Sequence, residues 1–363
     1  MPVRTVAYKL IVLVSMVMIL PACAPLVGEL GHVEDVAKPE PSPQLKQRVE
    51  NVLQHANDER ILSTEVNAAW QIMHAVICYG MELQIETPDR GRVSALEYVF
   101  SNGQMRGMQL MITQENLQST GRPGVKARFN PGSYIGQGHV DQWLAICAMA
   151  DIPITTKIQV GDRVATIEDW ARQAQFDVSN NPVDEFSWTL IALTHYFPTE
   201  TRWDADGGIR IGWEELLAEE LRYGLEDAAC GGTHRMAGII RALRAAEANG
   251  IDSTPTWSEA RELVASLMAS TKEQRGADGR LSSFYFDRSG GTRDLYAELS
   301  STGHMFEFVA LAATEEELSS PWIELSAQRL CELIENLETQ SVECGALYHA
   351  LSGLKIYLER RWP

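Results

Sequence analysis

Two kinds of helix-length segment alternate along the chain from about residue 45 almost to its last residue. One kind is amphipathic, with apolar residues three or four positions apart, as in a helix that buries one face. The other kind carries almost no charge for two or three turns, which is typical of a helix buried on all sides. Strand-like alternation is scarce and is best developed at 157–160. The pattern therefore predicts an all-α fold.

The two kinds of segment form pairs, and each amphipathic segment precedes an apolar one. The apolar segments begin near residues 65, 138, 186, 233, 303 and 345. Their amphipathic partners, which often begin near a tryptophan followed by acidic residues, are 45–58, an uncertain segment within 93–117, and segments beginning near 165, 212, 256 and 321. Insertions lengthen the chain at 84–138 and 272–301. Six such pairs predict about twelve helices in six hairpins.

Six hairpins with their apolar helices inside and their amphipathic helices outside would make an (α/α)6 toroid, or barrel. The chain ends on an apolar segment without a polar capping helix, which favours a closed ring over an irregular array of hairpins. This pattern resembles that of the α/α-toroid proteins, among them terpenoid cyclases, protein prenyltransferases, and six-hairpin glycosidases and lyases. The segments 204–208 and 272–280 are similar to loops of cyclase-type repeats, but the Asp-rich motif of squalene-type cyclases is absent. The resemblance implies a fold and not a reaction.

The N-terminus has the pattern of an export signal. A basic start is followed by an apolar run from Leu10 to Leu20, which is too short to span a bilayer. The sequence Leu20-Pro21-Ala22-Cys23 resembles the lipobox of bacterial lipoproteins. We therefore expect a signal peptide at 1–22, a lipidated Cys23 with a proline-rich tether at 23–43, and the toroid domain at 44–363. The alternative is an ordinary cleaved signal in which Cys23 is incidental.

The net charge limits the expected binding partners, and the number of cysteines limits the expected disulfides. The formal net charge of −18 argues against nucleic acid, which needs a positive surface. We expect an exported protein, anchored to the membrane through its lipid on the periplasmic or outer face. Without Cys23 five cysteines remain, so they cannot all be paired, and Cys331 with Cys344 is the only pair that merits a test.

Three histidines occupy similar positions in the apolar segments. His139, His234 and His304 each follow a glycine or threonine near the predicted start of an apolar helix. In a ring of hairpins, one shared position would place them on one rim. A histidine in a first helical turn has a lowered pKa, and a neutral imidazole can act as a general base. With these three we group Arg235 and Glu307 as catalytic candidates, and Tyr134, Trp188, Tyr285 and Arg293 as substrate-binding candidates.

A structural role for the three histidines remains the alternative, because repeated hairpins can reuse one residue to stabilise the same turn. We assign no metal ligands: a site built from the three with Cys230 or Glu343 is conceivable, but its ligands are scattered along the chain. His74 and His349 are predicted to be core or inner-wall residues. No cofactor is identified.

Three functions from different classes fit these observations. The first is a lyase or hydrolase that acts on a polysaccharide or another extracytoplasmic substrate, with a rim histidine as base. The second is a non-catalytic binding or scaffold protein of the cell envelope, with a carbohydrate or an envelope protein as partner. The third, a terpenoid-cyclase-like enzyme, lacks its acidic motif. Whether the chain is an enzyme is left open by the sequence.

Overall fold

The computed structural model describes residues 42–129, 138–183, 185–225 and 228–363. All of them belong to one compact unit. The predicted signal peptide, Cys23 and Tyr134 lie outside the described residues. The first helix begins at Ser42, so the last two residues of the predicted tether are helical.

The described residues are mostly helical, as predicted, and contain twelve α-helices. In chain order these are α1 (Ser42–Glu59), α2 (Ala69–Tyr79), α3 (Ala95–Phe100), α4 (Gln142–Met149), α5 (Ile167–Asp177), α6 (Ser187–Tyr196), α7 (Trp213–Tyr223), α8 (Thr233–Ala248), α9 (Pro255–Gln274), α10 (Leu295–Ala312), α11 (Pro321–Asn336) and α12 (Cys344–Arg361). Among these residues, every helix is too short or too polar to cross a membrane.

Short strands fill several of the connections. They are β1 (Leu62–Ser63), β2 (Gln84–Thr87), β3 (Gly91–Ser94), β4 (Met108–Asn116), β5 (Pro123–Phe129), β6 (Lys157–Val160), β7 (Arg163–Thr166), β8 (Arg202–Asp204) and β9 (Arg210–Gly212). β1 pairs in parallel with β2, and the other pairs, β2–β3, β4–β5, β6–β7 and β8–β9, are antiparallel. The strand predicted at 157–160 is β6, but the remaining strands were not predicted.

The even-numbered helices are the apolar ones, and they contact each other in order. α2 packs against α4, α4 against α6, α6 against α8, α8 against α10, and α10 against α12. In addition, α12 packs against α2. The odd-numbered helices pack against these and have buried residues, including the early tryptophans Trp213 of α7, Trp257 of α9 and Trp322 of α11.

Local sequence sets several helix starts. Thr166 and Asp169 form a capping box at α5, in which the Asp169 amide donates to the Thr166 hydroxyl and the Thr166 amide donates to the Asp169 carboxylate. Carboxylates cap two of the apolar helices in the same way: Asp294 accepts from the first amides of α10, and Glu343 from those of α12. Pro255 and Pro321 begin α9 and α11, where a missing amide hydrogen has no cost.

The contact between α10 and α12 is unusually close because two glycines face the partner backbone. A Cβ built on Gly303 would lie 2.7 Å from the Cβ of Ala350, and one on Gly353 would lie 2.9 Å from the backbone nitrogen of Glu307. Side chains next to these glycines therefore contact the opposite helix directly. Because the two helices are so close, Glu307 of α10 lies against side chains of α12.

Candidate functional site

Five imidazoles lie close together between the apolar helices. His234, His304 and His349 form the centre, with ring centroids 4.3 Å apart for His304 and His349, 4.9 Å for His234 and His349, and 5.7 Å for His234 and His304. His139 lies 6.1 Å from His234, and His74 lies 5.4 Å from His349. We call these five residues the histidine cluster. The three predicted histidines thus come together, joined by two others.

Four of the five imidazoles have Nδ1 held by an oxygen acceptor. Nδ1 of His304 lies 2.7 Å from the Ser300 carbonyl, and Nδ1 of His74 lies 2.5 Å from the Trp70 carbonyl. Because a carbonyl can only accept, Nδ1 carries the hydrogen in both rings. The neutral rings therefore keep a lone pair on Nε2.

Carboxylates hold Nδ1 in the other two rings. Nδ1 of His349 lies 2.7 Å from Oε2 of Glu307, and Nδ1 of His139 lies 2.5 Å from Oε2 of Glu185. Ser352 donates to the second oxygen of Glu307 over 2.7 Å. Burial opposes the ionisation of Glu307, but His349 and the two hydrogen bonds outweigh burial and hold the pKa of this carboxyl below its usual value. Glu307 is therefore a buried carboxylate at neutral pH.

His234 has different surroundings. Its Nε2 lies 3.2 Å from Nε2 of His349, while its Nδ1 is buried and has no hydrogen-bond partner in the described part of the chain. Burial, followed by the charges of His349 and His304, lowers the pKa of His234 well below its usual value. Burial and the neighbouring His349 likewise lower the pKa of His74 and of His304 to about 3. These three rings are neutral at pH 7.

A sharp turn places a thiol beside the cluster. Cys230, Gly231 and Gly232 all have positive φ angles, of 50°, 62° and 86°, immediately before α8. The left-handed region is uncommon for cysteine, so this turn is held by its surroundings. Tyr285 packs over Gly231, where an added Cβ would lie 2.2 Å from the tyrosine ring. Burial and then Glu343 raise the pKa of the Cys230 thiol to about 11.

A cavity of about 430 Å³ lies on one side of the cluster. His139 and Glu185 line this cavity together with His234, and His139 is half-buried there. Trp188 lies against both histidines, with its ring 6.1 Å from that of His139 and 5.2 Å from that of His234. Because Trp188 itself is only 3% exposed, it forms part of the wall behind the rings.

Arg235 also borders the cavity, but its guanidinium is engaged with neighbouring helices. Nε of Arg235 donates to Glu220 of α7 over 3.1 Å, and Nη1 donates to the Gly224 carbonyl. Glu220 also accepts from the hydroxyl of Ser187 over 2.6 Å and from the amide of Phe186. Burial raises the pKa of Glu220 despite these partners. Arg235 thus joins α8 to α7 and α6.

The other predicted site residues lie at different distances from the cluster. Glu307 touches it directly through His349. Tyr285 is half-buried with its ring 6.4 Å from that of His304. Arg293 is exposed, two residues before α10 begins. Cys331 and Cys344, the pair considered for a disulfide, are both buried, and no disulfide joins the two.

The expectation that each histidine lies in a first helical turn is met only by His234, the second residue of α8. α10 begins at Leu295, so His304 lies in its third turn, and His139 lies three residues before α4. The pKa of His304 is therefore lowered by burial and by His349 and not by a helix start. His74 and His349 are buried as predicted, but their place in the cluster was missed.

Comparison with protein families, with characterised proteins and with solved structures gave no match to this chain.

Proposed function

We propose that the chain is an (α/α)6 toroid whose histidine cluster lies at the mouth of the inner ring. The contacts of the apolar helices support this arrangement, because each packs against the next and α12 packs against α2. Such cyclic contacts are expected of six hairpins that close on themselves, whereas an open array would leave its first and last apolar helices apart.

We further propose that it is an enzyme, a lyase or hydrolase that acts on a polysaccharide or a related extracytoplasmic substrate. One observation carries this proposal: the His139–Glu185 pair, with Nδ1 and Oε2 2.5 Å apart, opens on a cavity of about 430 Å³. A carboxylate behind an imidazole fixes its orientation and stabilises the imidazolium formed when the ring takes a proton. A pair needed only for packing would not have to face such a space.

In this mechanism His139 is the general base. Its Nδ1 hydrogen is donated to Glu185, which leaves the Nε2 lone pair for the substrate side. In a hydrolase, Nε2 takes a proton from the attacking water and returns it to the leaving oxygen. In a lyase, Nε2 takes the proton on the carbon next to a carboxylate, and the leaving oxygen departs as a double bond forms. In the lyase the leaving oxygen takes its proton from water, and His234 lines the same cavity as a neutral ring.

Export and anchoring are proposed on the N-terminal sequence. Cys23 would carry the lipid and hold the domain on the periplasmic or outer face of the membrane. Expression of the full chain with Cys23 and with Cys23→Ser tests this directly. Lipid labelling and membrane fractionation of the first, with release of the second as a soluble exported protein, are the expected results. Equal membrane association of both variants contradicts the anchor.

The enzyme proposal is tested with soluble polysaccharides of two classes. Uronate-containing chains report a lyase through the ultraviolet absorbance of the unsaturated product, and neutral chains report a hydrolase through new reducing ends. We expect turnover by the wild type, a loss of about 100-fold or more for His139→Ala, and a smaller loss for Glu185→Gln. His195→Ala is the control, because His195 is exposed at the other end of α6. Absence of turnover on both classes favours the non-catalytic binding protein.

A further inference from the structure

We propose that Cys230, His234 and His304, with His349 beside them, bind one divalent transition-metal ion of the zinc type. One sulfur or nitrogen atom from each of the first three residues lies within 4.8 Å of the others. Thiolate and imidazole are the ligands that Zn²⁺ prefers, whereas Mg²⁺ and Ca²⁺ prefer oxygen. The ligand set therefore selects the class of metal.

The imidazoles are oriented as metal ligands usually are. A ligating histidine commonly donates its second ring nitrogen to a carbonyl or carboxylate, which fixes the ring and its tautomer. His304 does so to the Ser300 carbonyl, and His349 does so to Glu307, which Ser352 holds in turn. His349 presents Nε2 to Nε2 of His234, and in His304 Nε2 is the nitrogen left to bind an ion.

The spacing of His234 and His349 also fits a shared ion. Their Nε2 atoms lie 3.2 Å apart. Two nitrogens bound at about 2.1 Å to one tetrahedral Zn²⁺ would lie roughly 3.4 Å apart. If Nε2 of His234 instead donates a hydrogen bond to His349, the ion would bind the other ring nitrogen of His234. This buried Nδ1 has no hydrogen-bond partner in the described residues.

Charge balance favours a divalent ion. Glu307 is a buried carboxylate whose hydrogen bonds come from a histidine and a serine, without a lysine or arginine among them. A divalent ion would carry charge opposite to that of the Cys230 thiolate and of this carboxylate, on which His349 and the buried Arg241 also act.

The turn at 230–232 gives the thiol its position. Three successive residues with positive φ reverse the chain just before α8 and bring Cys230 beside rings from α8 and α10. Three protein ligands leave a fourth position for His349 or for a water molecule. His139 lies on the cavity side of His234, with ring centroids 6.1 Å apart. A metal here would therefore be next to the cavity.

The experiment uses the purified chain, stripped of metal with a chelator and titrated with Zn²⁺ against a chromophoric competitor. We expect one Zn²⁺ per chain. Co²⁺ in its place should give the visible bands of a tetrahedral site and a thiolate charge-transfer band. Cys230→Ser should remove the charge-transfer band, and His234→Ala with His304→Ala should weaken Zn²⁺ binding by on the order of 100-fold or more. His195→Ala should bind as the wild type does.

Two results overturn the site: binding of less than one ion per chain by the wild type, or undiminished binding by the double variant. The wild-type stoichiometry and the Co²⁺ spectrum do not depend on any variant folding, and circular dichroism checks the fold of Cys230→Ser. The proposal is independent of enzyme activity. A chain that binds Zn²⁺ but turns over no polysaccharide refutes the proposed reaction alone, whereas a chain that turns over polysaccharide but binds no Zn²⁺ refutes the metal site alone.

Discussion

Glu307 of α10 accepts a hydrogen bond from His349 of α12, with Oε2 and Nδ1 2.7 Å apart and both side chains less than 10% exposed. The contact joins residues 42 positions apart in the chain. It orients the His349 ring, so Nε2, which lies 3.2 Å from Nε2 of His234, is the nitrogen available to bind an ion. Through this one contact, a carboxylate that does not itself face the ion controls how the cluster would bind metal.

Replacement of this carboxylate by an amide gives the first prediction. Glu307→Gln keeps the size of the side chain but removes its charge and weakens its hold on Nδ1 of His349. We expect Zn²⁺ affinity to fall by about 10- to 100-fold, as for other residues that orient metal ligands. Competitive titration measures the change, with Glu359→Gln, at an exposed position near the other end of α12, as the control. Equal affinity of Glu307→Gln and wild type contradicts the orienting role.

The close contact of α10 and α12 gives the second prediction. Gly303→Ala adds a methyl group 2.7 Å from the Cβ of Ala350, so the helices must separate. We expect a loss of about 1–3 kcal/mol in the free energy of unfolding. In Gly303→Ala with Ala350→Gly the methyl group is moved across the contact, and part of the loss should be recovered. Urea unfolding measures the free energy of unfolding of the single and double variants. A loss in the double variant that exceeds the sum of the losses in the two single variants would argue against this packing.

Buried and exposed ion pairs should respond very differently. Arg235→Met leaves the Glu220 carboxylate buried without its charge partner, which should destabilise the fold by about 3 kcal/mol. Arg222→Met removes an exposed pair with Glu219 on the same helix α7 and should change the stability far less, because solvent screens this pair. Arg235→Met with Glu220→Gln should be more stable than Arg235→Met alone. Thermal unfolding compares the three, and equal losses for the two arginine variants refute this difference.

Asp141 should make stability depend on pH. Burial, partly offset by the hydrogen bond from Thr189, raises its pKa from 3.8 to about 6. A raised carboxyl pKa gives stability that is present below about pH 4 and is lost as pH rises through 6. Asp141→Asn removes that loss and tolerates the left-handed φ of 61°. We expect the variant to be about 1–2 kcal/mol more stable at pH 7.5, after a discount for partial exposure, and equal to wild type at pH 4. A difference that is the same at both pH values contradicts this assignment.

The helices were predictable from sequence because burial dictates their pattern. The uncharged runs of α6 and α12 and the tryptophan-led starts of α7, α9 and α11 gave nearly correct starts, whereas α10 begins at Leu295 and not near 303 as predicted. The β-hairpins were harder to predict from the sequence, because strands of three or four residues such as β2, β3, β8 and β9 are too short to show a clear alternation of apolar and polar residues. The second amphipathic helix was uncertain because α3 has only six residues, Ala95–Phe100, followed by the β4–β5 hairpin.

The candidate site was predictable in part. His139, His234 and His304 came together as expected, but the reason differs from a shared first turn. His304 lies nine residues after the start of α10, and His349 lies five after the start of α12. How far along its helix a histidine contacts the neighbouring rings depends on where that helix begins and on how closely it packs against the neighbouring helix. The carboxylate partner of His349 depends on that crossing, so it could not be identified from spacing alone.

The tautomers of the central imidazoles provide the most direct test of this account. Long-range proton–nitrogen NMR of the chain labelled with ¹⁵N-histidine, recorded at pH 8, distinguishes a hydrogen on Nδ1 from one on Nε2. We predict Nδ1–H for His304 and His349, and a shift of both Nε2 resonances on addition of one equivalent of Zn²⁺, with His55 and His195 unchanged. Hydrogens on Nε2 in these two rings, or resonances that Zn²⁺ does not move, would contradict a metal-binding histidine cluster.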